Sequence, residues 1–551
     1  MISHLDRKLV RDLRRLKGQA AAVAVVMACG LAMMITTRSL IASLEGTRAE
    51  YYESHRFADV FGAVKRVPNH FAARLAALPG VAGVQTDIAG QVTLDLAGVD
   101  EPASGLVRSV PDFGEPELNR LFLRRGRWLA PGSRRELLVC EAFADANQLN
   151  PGDTLALLMN GRRQEFRIAG VVLSPEYIFE SRPGSALPDN RTYGIFWMTY
   201  KEVATAWDLY GAFNRYALKL EPGADPAPVI AALDELLRPY GGLGAYSRRD
   251  HPSHIRVSDE IRTLAILAIG FPTIFLGVAA FMTNAVLSRL LALQREQIAI
   301  LKAFGFTNRQ IVVHYLKFAG VIGFAGSVAG CVAGVFLGRW MVGLYDLYFR
   351  FPDLAFRVDR AALAVALGIG LVAVFAGVLG AVRKAARLPP AEAMRPEPPF
   401  NYRPSLLERT GLQRLFSHSF RIAVRNIERR PWQAFFTIAG LALATALLIL
   451  PNTIKAGVAE VIDFQWDVFQ RQDLNLSLAE PSGARVVHEF ERLPGAVHVE
   501  PARSAAVRIH FNGRSRQIAL RSLEVGGLHS RTVDVHGKEI APPPDGLIVS
   551  A

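Results

Sequence analysis

Three cysteines in 551 residues leave no disulfide framework. Cys29 and Cys331 fall inside apolar runs, and Cys140 stands alone in a long polar stretch that must fold on an ordinary core. There is no Gly-x-x-x-x-Gly-Lys-Ser/Thr run, so the chain lacks the loop that cradles ATP phosphates. Gly320, Gly323 and Gly326 lie in an apolar run and follow no strand, which argues against a dinucleotide site. Ser253 has no nucleophile elbow around it. His251 and His254, with Asp250, read as solvated groups near a membrane boundary rather than as metal ligands. Catalytic residues: none; cofactor-binding residues: none; metal ligands: none. The net charge of +13 does not point to nucleic acid, because no basic domain with interleaved aromatics stands apart.

What the chain does have is apolar length. Five runs meet the roughly 20 residues that cross a bilayer core: Gln19 to Thr37, Thr263 to Leu287, Phe318 to Gly338, Ala361 to Val382 and Trp432 to Leu450. The cations cluster on alternate sides of them. Six Lys and Arg stand against two Asp and Glu before the first run, five against one in 289–317, and eleven against four in 383–431. The ratio is four to three in 339–360 and eleven to twelve in 451–551. By the positive-inside rule the N-terminus is cytoplasmic, and the basic flanks set topology and meet anionic membrane lipids. The first run exceeds a signal-peptide core and precedes no small-x-small site, so it reads as an uncleaved anchor.

The expected fold class is a membrane α-helical bundle with inserted α+β extracytoplasmic domains. A cytoplasmic amphipathic helix (1–18) precedes transmembrane helix 1 (19–41), the first external α+β domain (42–261) and helix 2 (262–288). A cytoplasmic segment (289–317), helix 3 (318–338), an external turn (339–360) and helix 4 (361–382) follow. A cytoplasmic linker with an amphipathic helix (383–431), helix 5 (432–450) and an incomplete second external domain (451–551) end the order. In the first external domain, strands are expected at Gln91 to Leu96, Thr154 to Met159, Arg163 to Val172 and Tyr216 to Leu220, with helices at His70 to Leu78 and Pro226 to Leu237. Leu5, Leu9, Leu13 and Leu16, and again Phe416, Phe420, Val424 and Ile427, mark helices lying in the membrane interface. Thr283 and Asn284 either line a substrate path or bond a neighbouring helix.

Three segments recur in order about 410 to 415 residues apart. They are Arg11 to Ala20 with Arg425 to Ala434, Leu78 to Val84 with Leu493 to Val499, and Leu137 to Cys140 with Leu547 to Ser550. The chain reads as a tandem duplication of a span, external domain and three-span unit, with its second copy truncated.

Gly326, Gly330, Gly334 and Gly338 repeat every four residues, a stripe for close helix packing. Before them, Arg295 to Ile311 mixes an apolar side (Ile298, Ile300, Leu301, Phe304) with charges (Arg295, Glu296, Lys302, Arg309), a pattern suited to seating a short helix in a protein groove. This run, the glycine-rich span and the closing Leu388 to Glu397 motif together resemble the FtsX/MacB-like permeases of ABC transporters. The resemblance implies a permease subunit of the bacterial inner membrane with no catalysis of its own. It implies that Arg295, Glu296, Ile298, Ala299, Ile300, Lys302, Ala303 and Gly305 contact a separate ABC ATPase, acting as a homodimer. The cargo implied is hydrophobic or amphipathic, such as a lipid, lipoprotein, peptide or drug. Further partners implied are a periplasmic adaptor and the missing second permease half; nucleic acid is excluded and no cofactor is expected. The alternative is a mechanotransmitting regulator or sensor that controls a cell-envelope hydrolase or responds to a peptide without moving cargo.

Overall fold

The computed structural model describes residues 4–96, 103–182, 188–387, 389, 417 and 431–548, the last range with short gaps at 477, 479–481, 512–513, 525, 535–537, 542 and 544–545. The helices are α1 (His4–Arg15), α2 (Lys17–Ser54), α3 (Ala72–Ala76), α4 (Glu141–Ala146), α5 (Tyr200–Ala206), α6 (Pro226–Leu237), α7 (Pro252–Leu293), α8 (Arg295–Ala303), α9 (Asn308–Tyr345), α10 (Arg360–Arg387), α11 (Pro431–Asp463) and α12 (Arg485–Glu491). The strands are β1 (Val60–Pro68), β2 (Val81–Asp87), β3 (Ala89–Asp95), β4 (Ala103–Val110), β5 (Phe122–Gly126), β6 (Glu136–Cys140), β7 (Thr154–Met159), β8 (Arg162–Leu173), β9 (Tyr193–Thr199), β10 (Ala212–Leu220), β11 (Ala245–Ser247), β12 (Ser504–Phe511) and β13 (Arg514–Arg521). Two compact units divide the chain: 1–45 with 260–345 and 354–454, and 46–259 with 346–353 and 455–551.

Among the described residues, α2, α7, α9, α10 and α11 are each long and apolar enough to cross a membrane. In α9 every fourth residue from Gly326 to Gly338 is a glycine. A Cβ placed at Gly326, Gly330 or Gly334 would lie 2.9 Å from the carbonyl oxygens of Ala24, Ala28 and Ala32 respectively. Both series rise together, so α2 and α9 run parallel in backbone contact. Thr36 Oγ1 extends the seam by donating to the Gly334 carbonyl at 3.1 Å. Gly338 lies looser, with Phe356 at 3.2 Å from its notional Cβ. On another side α9 meets α10, antiparallel, where Gly323 faces Val374 and Gly370 faces Ser327. Leu31, Ile35, Ala279, Ile298, Tyr315, Phe318 and Val378 belong to the core of this unit.

The helices overrun the expected boundaries. α2 continues to Ser54 and α7 begins at Pro252, inside the range assigned to the external domain; α9 takes in both Ile311 to Tyr315 and 339–345. α11 continues through Pro451 to Asp463. Bilayer thickness limits an apolar run, whereas helical hydrogen bonding continues wherever the backbone permits. The expected external turn shortens accordingly, and its residues 346–353 fold with the second unit. Thr283 Oγ1 donates to the Ala279 carbonyl at 2.6 Å, and Asn284 Oδ1 accepts from Ser288 Oγ at 3.3 Å. The Thr283 hydroxyl and the Asn284 amide oxygen thus find partners within α7. The interfacial helix expected around Phe416 to Ile427 and nearly all of Leu388 to Glu397 lie outside the described residues.

In the second unit, β11-β1-β10-β2 form an antiparallel sheet backed by α3 and α6. Asp225 caps α6 by accepting from Ala227 N at 3.0 Å, with Pro226 in the first turn. β12 and β13 form a separate hairpin, and a seven-stranded sheet runs β5-β8-β6-β9-β4-β3-β7. Its long strand β8 pairs with β7 along Arg162–Arg167 and with β6 from Arg167 onward, so six strands close on themselves and β5 adds outside. Closure removes the sheet edges that β7 and β8 would otherwise expose. The four expected strands correspond to β3, β7, β8 and β10. β9 escaped alternation analysis because all seven of its residues are buried.

The two Leu-Pro-Gly segments fold alike locally. Each follows a short helix, α3 or α12, and leaves it through a left-handed glycine, Gly80 at φ +83° and Gly495 at φ +89°. The backbone bonds correspond as well: Leu78 N to Leu75 O and Val81 N to Leu78 O in one, Leu493 N to Phe490 O and Ala496 N to Leu493 O in the other.

Gly330→Leu is expected to force α2 and α9 apart and to destabilise the helical unit by about 1–3 kcal/mol or more. Gly343→Ala, in open space, should be neutral. Thermal unfolding of both variants in detergent checks this.

Candidate functional site

α8 is a separate helix because Gln294 leaves helical geometry at φ −99° and ψ 14°, ending α7. It stops at a left-handed glycine: Gly305 has φ +91°, its N–H donates to Lys302 O at 3.0 Å, and Phe306 N donates to Leu301 O at 3.1 Å. That pair of bonds is a Schellman closure, which favours glycine because other side chains strain at positive φ. Two residues later α9 begins with a capping box. Thr307 Oγ1 accepts from Gln310 N at 3.3 Å, and Gln310 Oε1 accepts from Thr307 N at 2.8 Å. Phe304 to Gln310 is therefore a stiff corner, built from a stop signal and a start signal.

One side of α8 is anchored. Ile298 and Ala299 are buried, Ile298 within the helical core. The buried Gln294 side chain accepts from Lys8 Nζ at 2.6 Å and from Tyr315 Oη at 2.8 Å, tying α1 and α9 to the start of α8. Lys8 also pairs with Asp12 at 2.7 Å. At the other end, Lys302 Nζ donates to the Ala386 carbonyl of α10 at 2.6 Å.

The opposite side is bare. Glu296, Ile300, Ala303 and Phe304 follow i, i+4, i+7, i+8 spacing and are exposed, Phe304 by 79%. Gly305 is open and Arg295 is half-buried. Of the eight residues assigned to partner contact, Ile298 and Ala299 face inward: the apolar side of α8 is split, and the tertiary core takes the half that sequence periodicity could not separate. Phe304 and Gln294 were absent from that assignment. The Thr-x-x-Gln pattern after Phe304-Gly305-Phe306 was the local signal for the corner.

The second unit carries buried charge. Arg108 pairs with Asp87, with Glu176 at 2.8 Å and with Tyr177 Oη at 2.7 Å, while Asn119 and Arg215 reach Glu176 at 2.7 and 3.3 Å. Burial raises the Glu176 carboxyl, but Arg108 and Arg215 outweigh it and hold the group at about 2. Every member has a partner, so the cluster reads as a structural lock. His251 corrects the solvated expectation: it is buried among Phe57, Phe61 and Tyr246, and burial pushes it down to about 3. His254 contacts Tyr52 Oη through Nδ1 at 3.3 Å.

Glu180 differs. Burial pushes its carboxyl up to about 7, despite a hydrogen bond from Cys140 and the charge of Arg350. Arg350 and Arg124 fasten segment 346–353 here. Arg124 donates to the Pro352 and Phe351 carbonyls at 2.7 and 3.0 Å and pairs with Glu141 at 2.8 Å. Arg350 pairs with Asp145 at 3.3 Å, and its N–H donates to Ile178 O at 2.8 Å.

Residues 269–390 match the family described as FtsX-like permease C-terminal, and residues 20–236 match the MacB-like periplasmic core domain. The lipoprotein-releasing system transmembrane protein LolC of Neisseria meningitidis serogroup B is 33% identical over 141 residues, 23% of this chain and 33% of LolC. The chain thus spans about a third of the length of that curated relative. Among solved structures, the periplasmic region of MacB from Actinobacillus actinomycetemcomitans aligns at 14% identity and TM-score 0.25, covering 39% of this chain and 97% of that one. The extracellular domain of the ABC-type transporter YknZ from Gram-positive bacteria aligns at 12% identity and TM-score 0.23, over 34% and 98%.

A carboxyl raised from an unfolded value near 4.5 takes up a proton on folding. Its stabilising contribution is present at low pH and is lost as pH rises through about 7. Thermal unfolding of the chain should therefore show falling stability between about pH 5 and pH 8, and Glu180→Gln should flatten that slope.

Proposed function

Because the chain belongs to the FtsX/MacB-like permeases of ABC transporters, we propose that it is a multi-pass bacterial inner-membrane subunit that takes work from a separate ATPase dimer through α8. The carrying observation is the bare Glu296, Ile300, Ala303, Phe304 stripe, anchored from behind and lying within the segment matched to the permease family. A half-apolar, half-charged helix side suits a groove on a soluble partner. The N-terminus and α8 lie on the cytoplasmic side, where the cation excess falls.

Geometry supports the transmission step. The α8 to α9 corner is stiffened by the Schellman closure and the capping box, so a push on α8 turns the start of α9. α9 has 38 residues, about 57 Å of helix, against a bilayer core of about 30 Å. Its glycine seam makes α2, of equal length, move with it. Both helices are long enough to carry displacement past the lipid. The cargo is a hydrophobic or amphipathic molecule handled on the outer side; the lipoprotein-releasing name of the relative favours a lipid-modified protein. The like-folded Leu-Pro-Gly turns support a second external domain of related design, and a second permease half and a periplasmic adaptor complete the expected assembly.

In nanodiscs with its co-purified ATPase, Glu296→Lys or Phe304→Asp should reduce permease-stimulated ATP turnover at least about 10-fold, while the chain still inserts and runs monodisperse, since loss of a central interface anchor costs about 2 kcal/mol or more. Undiminished turnover with the partner still bound would overturn the docking role.

A further inference from the structure

His498, Glu500 and His529 come together at the base of one hairpin. The β12–β13 ladder runs from Phe511 opposite Arg514 to Ser504 opposite Arg521, and Ser522 continues it by donating its N–H to Arg503 O at 2.8 Å and accepting from Arg503 N at 2.7 Å through Oγ. The two flanking loops therefore stay side by side beyond the strands. This closes a sequence gap of about 30 residues, of the kind that local motif reading cannot bridge.

The Glu500 carboxylate receives the N–H groups of Leu528 and of His529, the latter at 3.1 and 3.2 Å from its two oxygens. His498 Nε2 lies 3.1 Å from Glu500 Oε1, and the His498 and His529 rings are 5.1 Å apart, centroid to centroid. His529 Nε2 lies 3.2 Å from the His498 carbonyl oxygen. One ligand atom from each of the three side chains falls within 4.8 Å of the others. His498 and His529 remain accessible to solvent.

We propose that His498, Glu500 and His529 form a binding site for a divalent transition metal ion of the zinc type. Two neutral imidazoles and one carboxylate are a ligand set that zinc takes in three-ligand sites, leaving a fourth position to water or to an incoming donor. Zinc bonds of about 2.0–2.1 Å place tetrahedral ligands roughly 3.3 Å apart, so closing the group needs only side-chain adjustment of about 1–2 Å. The backbone N–H groups on Glu500 act as the orienting outer contacts that such ligands carry. A metal here pins the loop of His498 to that of His529, adding a clasp to the hairpin.

The test is cobalt titration of the untagged full chain in nanodiscs. Visible absorption bands of nitrogen- and oxygen-ligated cobalt should saturate at one ion per chain at micromolar concentration and vanish on adding one equivalent of zinc. His529→Ala and Glu500→Gln should each weaken binding at least about 10-fold, the usual effect of losing a ligand or its support. His488→Ala, at a histidine that pairs instead with Glu491, should bind as the parent does. His529→Cys should keep the ion and acquire the charge-transfer band of a cobalt thiolate, a signature that a folding defect does not produce. Binding only at millimolar metal, equal binding in His529→Ala and Glu500→Gln, or no thiolate band in His529→Cys would overturn the site.

Discussion

Backbone approach between α2 and α9 governs the helical unit. Three glycines one turn apart place α9 against the Ala24, Ala28 and Ala32 carbonyls, closer than any side chain would allow. In lipid the helices gain nothing from burying apolar surface against one another, so close van der Waals contact supplies the cohesion. The partners on the α2 side, Ala24, Ala28 and Ala32, are themselves small, which keeps the seam shallow along its length. Thr36 adds a hydrogen bond at its far end, where the approach of the two backbones loosens at Gly338.

Everything attached to α9 inherits this constraint. Its first turn is fixed to α8 by reciprocal caps, and α8 is fixed to α1 through Gln294 and to α10 through Lys302. A small charged helix is thereby joined to a rod nearly twice the thickness of the hydrocarbon core. The bare side of α8 can be engaged without disturbing its anchored side, because Ile298 and Ala299 point one way and Ile300 and Phe304 another.

The second unit solves a different problem, folding in water without disulfides. Its six-stranded closed sheet leaves few edges, and its interior charge is held by ion pairs and hydrogen bonds converging on Arg108 and Glu176. Breaking one partner of such a buried group costs more than the group contributes, so the network specifies one arrangement of β2, β4 and the Glu176 turn. Glu180 is compensated less, by the Cys140 hydrogen bond and the charge of Arg350, and burial keeps its carboxyl raised.

Apolar run length, charge placement and the four-residue glycine repeat were legible in the chain itself, since each depends only on residues near one another and on the thickness of a bilayer. They supplied the five long apolar helices and the amphipathic α1, and apolar alternation supplied the strands β3, β7, β8 and β10. The tertiary structure alone decided which side of α8 stays bare, that His251 is buried, that β8 closes the sheet, and that His498 and Glu500 meet His529. Those outcomes depend on which distant surfaces come together, and a buried side chain and an exposed one of the same type read identically until the surface that covers one of them is in place.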